Sequence, residues 1–135
     1  MKKLLLFTII LALTATFGFS QSMSFEKLDI DYGQIEKGSE PLRVFKFTNK
    51  GTAPLIIQDA KGSCGCTVPS YPHEPIMPGQ SNVVQVRYDT QRIGAFTKTV
   101  TLTTNDPTTP TITLTIHGEV KAPPAQETPI NTGTN

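Results

Sequence analysis

The sequence predicts an all-β, immunoglobulin-like antiparallel sandwich of about seven strands, spanning about 100 residues. Three observations carry that expectation. Apolar and polar residues alternate with period two in segment after segment. No stretch beyond a few residues has the i, i+3, i+4 spacing of an amphipathic helix. Gly, Pro and Asn punctuate the runs at short intervals, as turns between antiparallel strands require.

Before the strands begin, Met1-Lys2-Lys3 is a short cationic start and Leu4 to Phe19 an apolar run interrupted by Thr8, Thr14, Thr16 and Gly18. That pattern is a secretory signal, and the run is shorter than the ~20 apolar residues of a comfortable membrane span. Gly18 and Ser20 are small residues two apart, as a signal peptidase site requires. We therefore expect a signal peptide over residues 1–20 and a mature chain starting at Gln21. No Cys lies near that point to carry a lipid. The expected product is periplasmic or secreted, with no stable membrane insertion after cleavage.

The sandwich domain is expected over residues 21–120. An opening strand lies around Leu28 to Ile35. In Pro41 to Asn49, Arg43, Phe45 and Phe47 share one face and Val44, Lys46 and Thr48 the other. Ala53 to Gln58 is a short apolar run. In Asn82 to Asp89, Val84, Val86 and Tyr88 oppose Val83, Gln85 and Arg87. Thr97 to Thr104 sets Lys98, Val100, Leu102 and Thr104 against four threonines, and Ile112, Leu114 and Ile116 repeat the pattern against Thr111, Thr113, Thr115 and His117. Threonine on a wet strand face keeps β propensity without burying a polar group. Asn49-Lys50-Gly51 and Met77-Pro78-Gly79-Gln80 offer residues tolerant of positive φ, and Asn105-Asp106-Pro107 starts a turn. Phe25, Phe45, Phe47, Phe96 and Tyr88 are the large core candidates. Two sheets must face each other, because each strand has only one apolar face to bury.

From Lys121 the composition changes to a Pro- and Thr-rich stretch with Ile130 as its single branched aliphatic residue. Such a segment cannot offset the entropy of ordering itself, so residues 121–135 are expected to be a disordered tail. The 12 basic and 11 acidic residues become 10 against 11 once Lys2 and Lys3 are removed, a net charge of −1. A surface that neutralises several phosphates is absent, which excludes nucleic acid as an expected partner.

One motif stands out, Ser63-Cys64-Gly65-Cys66-Thr67, which holds both cysteines. Export favours a disulfide between them. The Cα atoms reach bonding range only if the intervening residue bends, and Gly65 permits a bend. So small a ring restrains the unfolded chain very little, so the bond would be no structural staple; it is expected to be strained and therefore easily reduced. Soft metal is a second reading: two thiolates suit Cu(I) or Zn(II), with His73 as a third ligand. It lacks a fourth, since His117 sits on the polar face of the last strand. A free or intermolecular thiol and a purely structural pair of half-buried cysteines complete the alternatives. Thioredoxin-like spacing and its βα unit are missing. No catalytic set assembles: Tyr71-Pro72-His73-Glu74-Pro75 reads as a rigid exposed loop, and no nucleophile elbow or phosphate-cradling Gly-rich loop is present.

Taken together, Phe25-Glu26, Asp31-Tyr32-Gly33-Gln34-Ile35, Phe45-Lys46-Phe47-Thr48-Asn49-Lys50-Gly51, Pro54-Leu55-Ile56-Ile57, Cys64-Gly65-Cys66-Thr67, Ile76-Met77-Pro78-Gly79-Gln80 and Gly94-Ala95-Phe96-Thr97-Lys98-Thr99-Val100 resemble the bacterial exported family known as domain of unknown function 1573. The resemblance covers roughly residues 25–120. It implies an immunoglobulin-like fold similar to major sperm protein and cilium-associated interaction modules, with no assigned activity. The Cys-Gly-Cys-Thr stretch is a hallmark of that family, which favours a functional role for the cysteines without choosing one.

The expected function is an exported, non-catalytic binding or structural module whose partner is a protein or a glycan. The alternative is a redox or copper-handling protein centred on Cys64 and Cys66. No cofactor is expected, copper or zinc being the remaining option. The connection from Ala60 to Met77, with both thiols and with Tyr71, His73 and Glu74, is the expected contact surface, because so long a connection in a compact domain is usually functional.

Overall fold

Period-two alternation becomes strands wherever an apolar face finds a partner. The computed structural model describes residues 18–125 and 133, and these residues form no helix. The elements run β1 (Met23–Phe25), β2 (Asp29–Glu36), β3 (Leu42–Asn49), β4 (Ile57–Gly62), β5 (Thr67–Ser70), β6 (Ser81–Tyr88), β7 (Gly94–Thr104) and β8 (Thr111–Lys121). Two four-stranded sheets result, in the orders β1-β3-β6-β5 and β2-β8-β7-β4. The all-β sandwich is thus as expected, with eight strands where about seven were counted.

The alternation places the core where the sequence put it. Phe45, Phe47, Val84, Val86 and Tyr88 from the first sheet meet Val100, Leu102, Leu114 and Ile116 from the second, all buried. Phe96 joins them, and Phe25 packs half-buried against the cluster. Tyr32, Leu55, Ile76 and Val120 are further core residues that were not singled out. At one end of the sandwich Tyr88 stacks on Phe96 with centroids 3.8 Å apart, and Tyr32 meets Phe96 edge-on at 5.3 Å. The Tyr32 hydroxyl donates to the Pro41 carbonyl at 2.7 Å, and the Arg43 guanidinium lies 3.9 Å above the Tyr32 ring.

Four features differ from the sequence reading. β2 and β8 are parallel, with a register shift between Asp31 and Gln34. They are the first and last strands of the domain's second sheet, so no short turn forces them antiparallel. The apolar run at Ala53 to Gln58 divides: Leu55 makes a lone bridge to Ile76, and the strand proper is Ile57–Gly62. The Ala60 to Met77 connection carries the end of β4 and all of β5, which pairs Thr67–Ser70 with β6. Finally, β8 runs one residue past the expected boundary, and the Lys37 amide donates to the Lys121 carbonyl at 3.2 Å.

The turn chemistry is partly as read. Gly79 has φ of +80°, and the Gln80 amide donates to the Met77 carbonyl at 3.0 Å, a turn with Pro at its second position and Gly at its third. Asp106 accepts from the amides of Thr108 and Thr109 and starts the β7–β8 turn. Of the expected signal peptide, residues 1–17 lie outside the described residues, as does most of the expected tail. No helix among the described residues is long and apolar enough to cross a membrane.

Candidate functional site

Two places stand out, the cysteine turn and an opening in the edge of the second sheet. The cysteine turn carries the chain from β4 in one sheet to β5 in the other. It is closed by backbone bonds: the Thr67 amide to the Cys64 carbonyl at 3.2 Å, Asp89 to Cys66 at 2.9 Å and Ser63 to Thr99 at 2.8 Å. Gly62, where the turn begins, lies so close to the Thr67 and Cys64 carbonyls that a Cβ there has no room. Gly65 faces open space and has no positive φ, so the glycine the turn depends on is Gly62, before the motif, and not Gly65 within it.

This frame brings the Cys64 and Cys66 Cα atoms to 5.2 Å with their sulfurs within bonding contact. Cys66 is buried against the core and Cys64 half-buried on its rim. The Thr67 hydroxyl stands 3.6 Å from the Cys64 sulfur and 3.7 Å from that of Cys66. A pocket of about 350 Å³ opens beside the turn, walled by Cys66, Val68 and Tyr88 with Pro41, Asp89 and Gln91 from neighbouring loops.

The histidines lie elsewhere. His73 is exposed, and its ring tilts against that of Tyr71 with centroids 4.7 Å apart. His117 stays on the polar face of β8, its Nε2 at 2.7 Å from Asp29 Oδ1 and its Nδ1 at 3.5 Å from Asp31 Oδ1. No three His, Cys, Asp or Glu side chains among the described residues converge as metal ligands.

The second place went unread in the sequence. Thr104 N–H donates to the Pro110 carbonyl at 2.7 Å, its opposite number across the β7–β8 ladder. Antiparallel bonding alternates, so Ile112, Leu114 and Ile116 bond β7, while Thr111, Thr113 and Thr115 turn their backbone groups the other way. On that side β2 begins only at the level of Thr115, whose amide reaches the Leu28 carbonyl at 2.8 Å. Among the described residues, the outward backbone groups of Thr111 and Thr113 have no backbone partner. β1, which precedes β2, belongs to the other sheet. The chain thus leaves a gap where it changes sheets, a groove of about 450 Å³ walled by Met23, Phe25, Leu28, Ile112 and Thr113. Leu28 is 52% exposed there. A switch of sheets between two short strands has no period of its own, which is why alternation could not reveal it.

Residues 23–120 match the family described as protein of unknown function (DUF1573). The chain belongs to that family. No curated protein is similar enough to match. Among solved structures, the DUF1573 chain is similar to a protein of unknown function from Porphyromonas gingivalis W83, at 20% identity and a TM-score of 0.68. That alignment covers 80% of this chain and 50% of the other, so the DUF1573 chain spans about half the length of that relative. It is also similar to the ASH/PapD-like domain 7 of human CEP192, at 12% identity and a TM-score of 0.58, covering 77% of this chain and 88% of that one. A third similarity is to the CsuC-CsuE chaperone-tip adhesion subunit pre-assembly complex of Acinetobacter baumannii, at 12% identity and a TM-score of 0.52 over 74% and 57%. At such identities the likeness establishes a PapD-like, immunoglobulin-like fold.

Proposed function

We propose that this DUF1573 protein is an exported, non-catalytic module that binds a protein partner by accepting an extended segment of it along the open start of β8. The gap beside Thr111–Thr113 carries this reading. Unpaired ladder groups offer hydrogen bonds to any extended chain, and an adjoining apolar groove selects the side chain that enters it. Met23, Phe25 and Ile112 already pack on the core, so an apolar anchor there extends the core itself. The similar Csu structure is a complex of a chaperone with a tip adhesion subunit, which favours a protein over a glycan. The outer face of the second sheet, by contrast, is threonine-lined and wet: Thr101 pairs with Thr113 and Thr99 with Thr115.

Export is supported by the cationic and apolar character of Met1 to Phe19. The non-catalytic reading is supported by the polar groups themselves. Ion pairs such as Glu26–Lys46 and Asp89–Arg92 are solvent-exposed. Among the described residues, no Ser, Thr or Cys side chain is hydrogen-bonded to a His, Asp or Glu side chain that could activate it.

The test is photo-cross-linking in the producing cell from a probe at Leu28 and, separately, from one at Thr101. The expected outcome is a protein adduct from Leu28 that disappears when Thr113 is replaced by Pro, with none from Thr101. Equal adducts from both probes, or adducts that survive Thr113→Pro, contradict strand addition at this edge. If substitution of Tyr71, His73 and Glu74 removes the adduct instead, the contact surface is the β5–β6 connection.

A further inference from the structure

The cysteine turn is held by backbone contacts as well as by the bond between its sulfurs. Three backbone hydrogen bonds, from Thr67, Asp89 and Ser63, fix the chain on either side of Cys64 and Cys66. Gly62 is wedged beneath the Thr67 carbonyl. A disulfide that spans one intervening residue removes almost no freedom from the unfolded chain. Reduction therefore removes none of these backbone contacts of the turn and restores almost no freedom to the unfolded chain.

The surroundings divide the pair into unequal partners. Cys64 is half-buried at the rim, whereas Cys66 is 7% exposed and belongs to the core cluster. The Thr67 side chain, 2% exposed, stands within hydrogen-bond reach of both sulfurs. Its hydroxyl can donate to whichever sulfur carries negative charge. The pocket walled by Gly65, Cys66, Val68 and Pro41 opens beside the turn on the side of Cys66, the sulfur that leaves.

We propose that Cys64 and Cys66 form a reversible thiol–disulfide exchange site whose reactant is an accessible aliphatic thiol, with Cys64 as the attacked sulfur. An incoming thiolate attacks the Cys64 sulfur; the bond between the two cysteine sulfurs breaks, and a mixed disulfide forms on Cys64. Cys66 leaves as a thiolate, is met by the Thr67 hydroxyl and takes a proton from solvent. A second thiolate then attacks the incoming partner's sulfur, forms a disulfide with it and releases Cys64 as a thiolate. Two thiols are oxidised to one disulfide, and the cysteine pair takes up the two electrons. The same steps reversed, with a disulfide as oxidant, restore the bond. Thr67 is a positioning residue in this scheme. The scheme is independent of strand binding at β8.

The test uses the purified mature protein, equilibrated against graded mixtures of reduced and oxidised glutathione, then alkylated and weighed. The pair is expected to be reduced and reoxidised reversibly, with the fold retained by circular dichroism. The Cys66→Ser variant, which keeps the rim sulfur, is expected to form a glutathione mixed disulfide about tenfold faster than Cys64→Ser, which keeps the buried one. Thr67→Val is expected to move the pH profile of alkylation of the reduced protein upward, a shift that a structural role for Thr67 does not produce. In the producing cell, Cys66→Ser protein isolated under acid quench carries either a small-thiol adduct or a protein-sized one, which identifies the source of the thiol. Reduction only together with unfolding, equal trapping by the two single variants, or no adduct of either size each overturns the proposal.

Discussion

The side-chain amide of Asn49 donates to the Ile76 carbonyl at 2.8 Å, across 27 residues of sequence, and to the Ala53 carbonyl at the same distance. Asn49 is fully buried. It anchors the end of β3 to the Leu55–Ile76 bridge, and its own carbonyl accepts from Gly79 at 2.7 Å. Asn49→Ala takes the side-chain donor from the Ala53 carbonyl, leaves the Ile76 carbonyl with only the Leu55 amide and strips the Gly51 amide of its acceptor, so we expect a loss of about 2–4 kcal/mol in chemical denaturation. A change under ~0.5 kcal/mol means that water replaces the amide.

Burial pushes the phenols of Tyr32 and Tyr88 above their ordinary value near 10, against the opposing pull of Arg43 on Tyr32 and of Arg92 on Tyr88. An acid whose folded value is raised holds its proton more tightly in the fold than in the unfolded chain. Its contribution is complete below about pH 10 and is lost as pH rises from there through the raised value. Denaturation between pH 9 and 11.5 is expected to show stability falling only above about pH 10. Tyr32→Phe is expected to shallow that fall while costing about 1 kcal/mol at neutral pH through the lost bond to Pro41.

The sandwich was legible because Phe45, Val84, Leu102 and Leu114 sit on faces that alternation marks unambiguously. Asn49 was read as a turn former from its neighbours Lys50 and Gly51, and nothing local tells a buried amide from an exposed one. Asn49-Lys50-Gly51 was expected to supply a residue tolerant of positive φ, yet none of the three has one; what Gly51 requires is closeness, since a Cβ there meets the backbone of Gln21 and Ser22. β5 escaped because Thr67–Ser70 is four residues long and contains Pro69, which the sheet edge tolerates. The cysteine turn was legible as a motif but not as a geometry: Gly62, outside the motif, is the residue the turn closes on.

The two sides of β8 predict opposite responses to proline at adjacent positions. Thr113 turns its N–H away from β7, so Thr113→Pro removes no bond of the free domain and is expected to cost less than ~1.5 kcal/mol. Leu114 bonds β7 and is 1% exposed. Leu114→Pro removes a ladder bond and a core side chain together, for a loss above ~4 kcal/mol or failure to fold. Similar losses at both positions contradict the bonding pattern assigned to β8.

The C-terminal boundary gives a further prediction. The last rung of β8 pairs Lys121 with Glu36. A chain ending at Ala122 is expected to match the full-length protein within ~0.5 kcal/mol. A chain ending at Gly118 loses Val120, 1% exposed, and is expected to lose about 2 kcal/mol or more. A stability change at Ala122 above ~1 kcal/mol shows that the tail docks on the domain.

The claim on which the functional reading rests is that an extended chain adds to β8 at Thr111 and Thr113. The direct measurement is amide hydrogen exchange of the mature protein, free and in complex with the partner recovered by the Leu28 cross-link. In the free domain the Thr113 amide should exchange at least about tenfold faster than that of Leu114, which bonds β7. Binding should slow Thr113 to the rate of its neighbour and leave the outer-face positions at Lys61 and Thr99 unchanged. If Thr113 exchanges as fast in the complex as in the free domain while other segments gain protection, the partner binds elsewhere and strand addition at β8 is wrong.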